Sequence, residues 1–304
     1  MSKCLVTGGA GFIGSHLVDK LIELGHEVIV IDNESSESHV HFFYNEKATY
    51  YKEDISDYKA TRRAYKDIDY VFHMAAETRV QRSIDNPLAT FIVNDLGTAT
   101  VLQCSKEANV KKVMYSSTSA AYGLINNLPN SEDQPIDPLN PYSVSKVNGE
   151  NLCKMYTNLF GLPTIIFRYF NAYGERQPTR GQYAPVLGIF LNQYRSNFAL
   201  TIVGTGEQRR DYVHVSDIVN ANILAMTKDI DSQYYGAVFN VGTGTNYSVK
   251  EIADMISENQ VNIEPRVGEA KETLCNYDKI NILLGWSPKI RVDEWINKQK
   301  IKEV

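Results

Sequence analysis

Cysteine is scarce in this 304-residue chain: Cys4, Cys104, Cys153 and Cys275 stand far apart. That spacing argues against both a zinc-ligand set and a disulfide framework, and favours reduced, mostly buried thiols. Long apolar runs are missing too, since no stretch approaches the ~20 residues of a bilayer-spanning helix. No basic-plus-apolar leader precedes the first strand-like run, so the expectation is a cytoplasmic protein with no membrane partner. Positive charge is not in excess: the net charge of −5 argues against a nucleic-acid or anionic-membrane surface. It does not exclude a small anionic substrate, because a local pair of arginines can hold a phosphate on an acidic protein. Internal repeats and low-complexity tracts are also absent. What remains, 43% hydrophobic and 22% charged residues, is the composition of an ordinary globular chain.

Short β-branched runs alternate with helical stretches through the first half. Strands are predicted at Lys3–Thr7, Glu27–Ile31, Thr49–Lys52, Tyr70–His73, Lys112–Ser116 and Pro163–Arg168. Helices are predicted at Ile13–Leu24, stopped by Gly25, at Leu88–Ala108 and at Pro141–Phe160. Strands alternating with crossover helices imply an α/β fold with a doubly wound parallel (Rossmann) sheet. After Phe170 the rhythm breaks, which predicts a smaller, loop-rich C-terminal substrate domain. The boundaries drawn are 1–170 for the dinucleotide-binding domain and 171–210 with 242–304 for the second. Segment 211–241 is expected to return to the first.

Between the first strand and its helix lies Thr7-Gly8-Gly9-Ala10-Gly11-Phe12-Ile13-Gly14. Glycines let the backbone turn and approach a pyrophosphate, and the helix start offers it free N–H groups. The spacing of Gly8, Gly11 and Gly14 departs from G-x-G-x-x-G, so the strand–loop–helix context carries the weight. Asp32 ends the second strand, where a carboxylate holds the ribose 2′-hydroxyl and repels a 2′-phosphate; NAD is therefore favoured over NADP. Asp54, after the third strand, is an adenine contact or a plain loop residue with equal claim.

Tyr142 and Lys146 stand at i and i+4 of a predicted helix and share one face. A lysine ammonium about 4 Å from a phenol is worth on the order of 4 kcal/mol at an effective dielectric near 20, roughly three pKa units before desolvation, enough to make a phenolate near neutrality. With 19 tyrosines in the chain, Tyr-x-x-x-Lys alone is weak and ordinarily accidental. The hydroxyl cluster Ser116-Ser117-Thr118-Ser119 at the end of the fifth strand changes that, because doubly wound folds place ligands there. Thr118 can share a hydrogen bond between a substrate hydroxyl and Tyr142; otherwise it caps a turn.

With these motifs the chain resembles the extended short-chain dehydrogenase/reductase superfamily, and within it the nucleotide-sugar epimerases. The likeness runs on through His73-Met74-Ala75-Ala76, Asn94, Tyr115 to Gly123, Arg168-Tyr169-Phe170-Asn171, Arg210-Asp211-Tyr212, Val241-Gly242-Thr243-Gly244, Arg266-Val267-Gly268-Glu269 and Leu284-Gly285-Trp286. It implies that Thr118, Tyr142 and Lys146 form the catalytic set. It implies cofactor contacts from Gly8, Gly11, Phe12, Ile13, Gly14, Asp32 and Asn33. Further along the chain it adds Asp54, Ile55, Ala75, Ala76, Asn94, Ser116, Tyr142, Lys146 and Tyr169. Asn171, Arg210 and Arg266 would hold the nucleotide diphosphate, with Thr118, Glu269 and Thr273 also on the substrate side. No metal is implied, and a homodimer through the helices near Leu88–Ala108 and Tyr142–Phe160 is.

The two residues after Thr118 suggest the branch of the family. Dehydratases resembling this chain carry Thr-Asp-Glu and decarboxylases Thr-Ser-Glu, because those reactions need a further acid or base. Here the pair is Ser119-Ala120, without the carboxylate, as suits a 4-epimerase acting through a 4-keto sugar. In similar epimerases a residue seven places after the arginine corresponding to Arg266 sets pocket size. Here it is Thr273, small enough to admit an N-acetyl group, so UDP-GlcNAc/UDP-GalNAc and UDP-Glc/UDP-Gal are the expected substrates. Ala120 and Ala121 replace the threonine and valine of many epimerases. Glu77 and Arg79 put charges near the sugar and keep a uronic acid open. Other readings stand beside this one: a UDP-glucuronate 4-epimerase, a decarboxylase or 4,6-dehydratase, or a non-catalytic NAD-binding protein on the same fold.

Overall fold

Strand runs such as Glu-Val-Ile-Val-Ile at 27–31 bury four of five residues, the mark of a strand covered on both faces. The computed structural model describes residues 1–37, 41–124, 127–179, 184–264 and 271–301. In chain order these form β1 (Lys3–Thr7), α1 (Phe12–Glu23), β2 (Glu27–Ile31), β3 (Thr49–Tyr51), α2 (Tyr58–Thr61) and β4 (Tyr70–His73). Next come α3 (Val80–Asp85), α4 (Pro87–Phe91), α5 (Gly97–Glu107), β5 (Lys112–Thr118), α6 (Pro141–Phe160) and β6 (Thr164–Tyr169). The second half adds β7 (Asn171–Tyr173), α7 (Val186–Arg195), β8 (Leu200–Val203), β9 (Arg209–His214), α8 (Val215–Thr227) and β10 (Val238–Val241). It ends with β11 (Asn246–Ser248), α9 (Val249–Ile256), β12 (Gln260–Ile263), α10 (Asp278–Leu284) and α11 (Val292–Ile301).

Seven strands make one parallel sheet in the order β10-β6-β5-β4-β1-β2-β3. The doubly wound fold read from the sequence is thus what the chain adopts. Chain order reverses between β1 and β4, which opens a crevice at the carboxyl ends of the strands. Two apolar layers cover the sheet, one around Leu17, Phe72 and Phe239, the other around Leu5, Val71 and Ile166. β5 is buried along its whole length and extends two residues beyond prediction, carrying Thr118 to the sheet edge.

The long helix expected over Leu88–Ala108 is broken. A π-helical stretch, Ile92–Leu96, separates α4 from α5. Such wide turns are frequent at functional sites; the one residue buried in this one is Asn94, 2% exposed. α6 is better specified. Asn140 caps it by accepting from Ser143 N at 2.9 Å, Ser143 Oγ accepts from Asn140 N at 3.2 Å, and Pro141 sits in its first turn.

Beyond β6 the chain builds a three-stranded sheet, β11-β9-β7, and a two-stranded one, β12-β8. A separate apolar core around Tyr173, Phe190 and Trp295 supports them. Within 211–241, α8 packs on α1 and β5 and β10 joins β6, while residues up to His214 stay in the small sheet.

Candidate active site

The crevice beside β1 is a cleft of about 460 Å³. Gly8, at the end of β1, has a φ of +69°, and a Cβ there would stand 2.7 Å from Ala75 N. A Cβ at Gly14 would stand 2.1 Å from Gly8 O, so both positions require the missing side chain. Gly8, Gly11, Phe12, Ile13 and Gly14 all line the cleft. Gly11 caps α1 with no side-chain hydrogen bond, and no acidic residue occupies the first turn. Unclaimed N–H groups at a helix start, beside a backbone-narrow loop, fit a diphosphate.

Asp32 stands at the end of β2, its carboxylate accepting from Ala10 N at 3.0 Å and Glu34 N at 2.8 Å. Burial raises its pKa, and those two backbone bonds pull the other way. Asn33 also lines the cleft and donates to Asp54 Oδ2 at 2.9 Å. Asp54 itself is not on the wall; it accepts from Ser56 N and Oγ, and its neighbours Glu53 and Ile55 face the space. Ala75, Ala76, Ser116 and Tyr169 line it as well. Asn94 does not. Its amide accepts from Glu77 N at 2.8 Å and donates to Glu77 O at 3.0 Å and Ser145 Oγ at 2.8 Å, so it ties the loop after β4 to α6.

Thr118, from β5, and Tyr142 and Lys146, from α6, line the floor of the same cleft. Lys146 Nζ stands 4.4 Å from the Tyr115 ring centroid. Desolvation is the largest influence on the lysine and lowers its pKa to about 8, against the nearby Glu150 and Asp95 charges. Burial raises the Tyr142 phenol above its usual value, opposed by a hydrogen bond with Thr118. The sequence suggested a phenolate near neutrality from the lysine alone. Burial instead moves the phenol upward, and the only influence opposing it is the hydrogen bond with Thr118.

A second cavity, about 610 Å³, adjoins the first, with Thr118, Tyr169, Asn171 and Tyr212 on both walls. Arg210 lines it from β9 and Thr273 from the segment that runs beside β9. Arg210 Nη1 donates to Arg209 O at 2.9 Å, and Thr273, 6% exposed, accepts weakly from Asp211 N at 3.4 Å. Arg266 and Glu269 lie outside the described residues.

Several supports went unread in the sequence. Glu150 and Arg168 form a buried ion pair at 2.8 Å behind β5, with Ser117 Oγ donating to Glu150 at 2.6 Å. Their only sequence signal is the charge of Arg168 inside the otherwise apolar β6; Glu150 stands among other polar residues of α6 and gives none. His73 bridges Thr7 Oγ1 at 2.7 Å and Thr98 Oγ1 at 3.0 Å, and burial holds it neutral with a pKa of about 3. Gly149, mid-helix in α6, leaves room for the Tyr115 hydroxyl, which a Cβ would meet at 2.0 Å. Asp211 accepts from Thr243, Gly244 and Cys275 N–H groups and so gathers three segments of the second cavity.

Sheet order, switch-point cleft and hydroxyl–tyrosine–lysine grouping define a doubly wound protein of the short-chain dehydrogenase type. Over residues 4–242 the sequence matches the NAD dependent epimerase/dehydratase family, and the chain belongs to that family. A relative from Methanocaldococcus jannaschii named putative UDP-glucose 4-epimerase is 38% identical, covering 97% of this chain and 96% of its own length. The structure of UDP-glucose 4-epimerase with UDP-glucose from Thermotoga maritima superposes with a TM-score of 0.92 at 35% identity, covering 99% of each chain. That of UDP-N-acetylglucosamine 4-epimerase from Methanobrevibacter ruminantium, in complex with UDP-N-acetylmuramic acid, gives 0.90 at 33% identity, covering 100% and 99%.

Proposed function

We propose that this chain catalyses the NAD-dependent 4-epimerisation of a UDP-sugar, with Thr118, Tyr142 and Lys146 as its catalytic residues. The observation that carries the reading is that these three groups stand on the floor of the cleft, with Thr118 at its junction with the second cavity. The glycine loop, Asp32, Ala75, Ala76 and Ser116 would hold the dinucleotide. Bound there, it supplies the acceptor and donor for hydride at sugar C4. Tyr142 takes the proton of the 4-hydroxyl and later returns it. Lys146 stabilises the phenolate, and Thr118 shares the hydrogen bond at the same oxygen. Burial lowers Lys146 and raises Tyr142, so the pair loses its first proton near pH 8. The form with one proton between them is the reactive one.

The family spans epimerases and dehydratases, and Ala120 bears on the choice. It lines the second cavity and offers no acid for eliminating water. Nearby Glu150 is no substitute, because Arg168 and Ser117 engage it. The second cavity takes the sugar and its diphosphate, with Asn171, Arg210, Arg266 and Glu269 as candidate contacts and Thr273 leaving room for a 2-N-acetyl group. On this reading residues 1–170 and most of 211–241 serve NAD, and 171–210 with 242–304 serve the substrate. The protein works in the cytoplasm as a homodimer. Leu88, Ile92 and Leu96 are exposed on the helical run that packs against α6, a surface suited to a second copy. Assaying UDP-Glc, UDP-GlcNAc and UDP-GlcA with purified protein tests the reading. Interconversion of 4-epimers supports it; loss of water or carbon dioxide instead would replace it.

A further inference from the structure

Arg79 is a 7%-exposed cation whose guanidinium has no close carboxylate among the described residues. Its Nη2 reaches Ser36 Oγ at 3.3 Å, and the nearest carboxylate oxygen, on the exposed Glu37, is 4.0 Å away. A buried charge so weakly met invites an anion. The sheet shows where that anion lies. Arg79 comes after β4 and Ser36 after β2, and these strands flank β1 on its two sides. To touch Ser36 the arginine must therefore pass across the end of β1, where the glycine loop turns. Both residues line the cleft.

We propose that Arg79 is a further anchor for the dinucleotide, its guanidinium gripping the diphosphate from above while the glycine loop and the start of α1 hold it from below. This rests on the reading of the cleft as an NAD site. A planar fork of donors suits phosphate oxygens, and the neighbouring arginine strengthens the strap: Arg82 pairs with Glu77 at 3.1 Å and Glu37 at 3.5 Å, joining the same two loops. Arg79 also borders the second cavity, so an acidic sugar is the competing anion. The hydrogen bond to Ser36, which follows the same strand as Asp32 and lines the same cleft, turns the guanidinium toward the dinucleotide side.

The test is calorimetric binding of NAD, ADP-ribose and adenosine to the full chain stripped of nucleotide, with Arg79→Gln and Arg79→Lys variants. Losing a charge-assisted hydrogen bond costs about tenfold or more in affinity. Arg79→Gln should weaken NAD and ADP-ribose by that factor and leave adenosine nearly unchanged, with Arg79→Lys falling between. Should the glutamine variant misfold, the lysine variant shows a smaller loss of the same selectivity, and rising salt should weaken ADP-ribose more than adenosine in the unaltered protein. Unchanged NAD and ADP-ribose affinity would overturn the proposal, and a selective loss of UDP-glucuronate would assign Arg79 to the sugar. Equal loss of adenosine would make it a loop support only. A chain that binds no NAD before substitution would refute the cleft reading itself.

Discussion

The cleft along β1, β2 and β4 draws most of its wall from the segments that leave those strands, with Tyr142 and Lys146 of α6 on its floor and residues near 178, 186 and 212 closing it. The cavity beyond Thr118 is walled by segments near positions 80, 120, 171, 203, 210, 249 and 273, held by two small sheets and by Asp211. The first is a property of the sheet; the second is assembled from chain that the sheet merely supports. Chemistry stands on the rigid side, on β5 and α6, and selectivity on the assembled side. The difference implies that changes on the cleft floor abolish turnover, whereas changes on the far wall redistribute it among substrates.

Tyr142→Phe gives the sharpest form of that contrast. It removes the proton acceptor and keeps the ring, so kcat should fall by about 10²–10⁴-fold with UDP-sugar affinity retained. Turnover within a few-fold of the parent, or a parallel loss of binding, would erase the division between floor and wall.

Thr273→Tyr probes the opposite wall and should act on the ratio rather than the rate. An aromatic ring in that buried position cannot be absorbed without strain. The kcat/KM for UDP-GlcNAc relative to UDP-Glc should drop roughly tenfold or more, while UDP-Glc turnover largely persists. Equal loss on both substrates would mean general damage; no loss would remove Thr273 from the pocket.

The smallest effect is in pH. Lys146, lowered chiefly by burial, titrates at about 8, and the raised phenol holds its proton beyond that. The reactive one-proton form therefore accumulates as pH rises, so kcat/KM should climb through about pH 8 and level off. Lys146→Met leaves only the phenol to titrate and should push the climb above the ordinary tyrosine value of about 10. A profile that does not move would detach the lysine from the base.

Legibility in the sequence divides along the same line. The doubly wound sheet was legible because each strand and its flanking helix signals lie within a few residues, as Gly25 at the end of the first helix illustrates. Gly8 to Gly14 and Asp32 were legible as one contiguous strand–loop–helix pattern, and Tyr142 with Lys146 by helical spacing. The π turn at Asn94 was not, since its cause is three hydrogen bonds to Glu77 and Ser145, partners 17 and 51 residues away. The Glu150–Arg168 pair is equally long-range in origin, because only the packing of α6 on β5 and β6 makes either charge buried. Arg79 showed only as a charge near the sugar; its reach over β1 to Ser36 depends on strand order, which no local pattern encodes.

The central claim is that hydride leaves and returns to the same C4. The direct measurement is NMR of UDP-[4-²H]glucose and UDP-[4-²H]-N-acetylglucosamine incubated with the protein in ordinary water, without added reductant. The account predicts conversion to the 4-epimer with deuterium kept at C4, unchanged product mass and no accumulating reduced nucleotide. Wash-out of deuterium into water, or a product lighter by water or carbon dioxide, would contradict it.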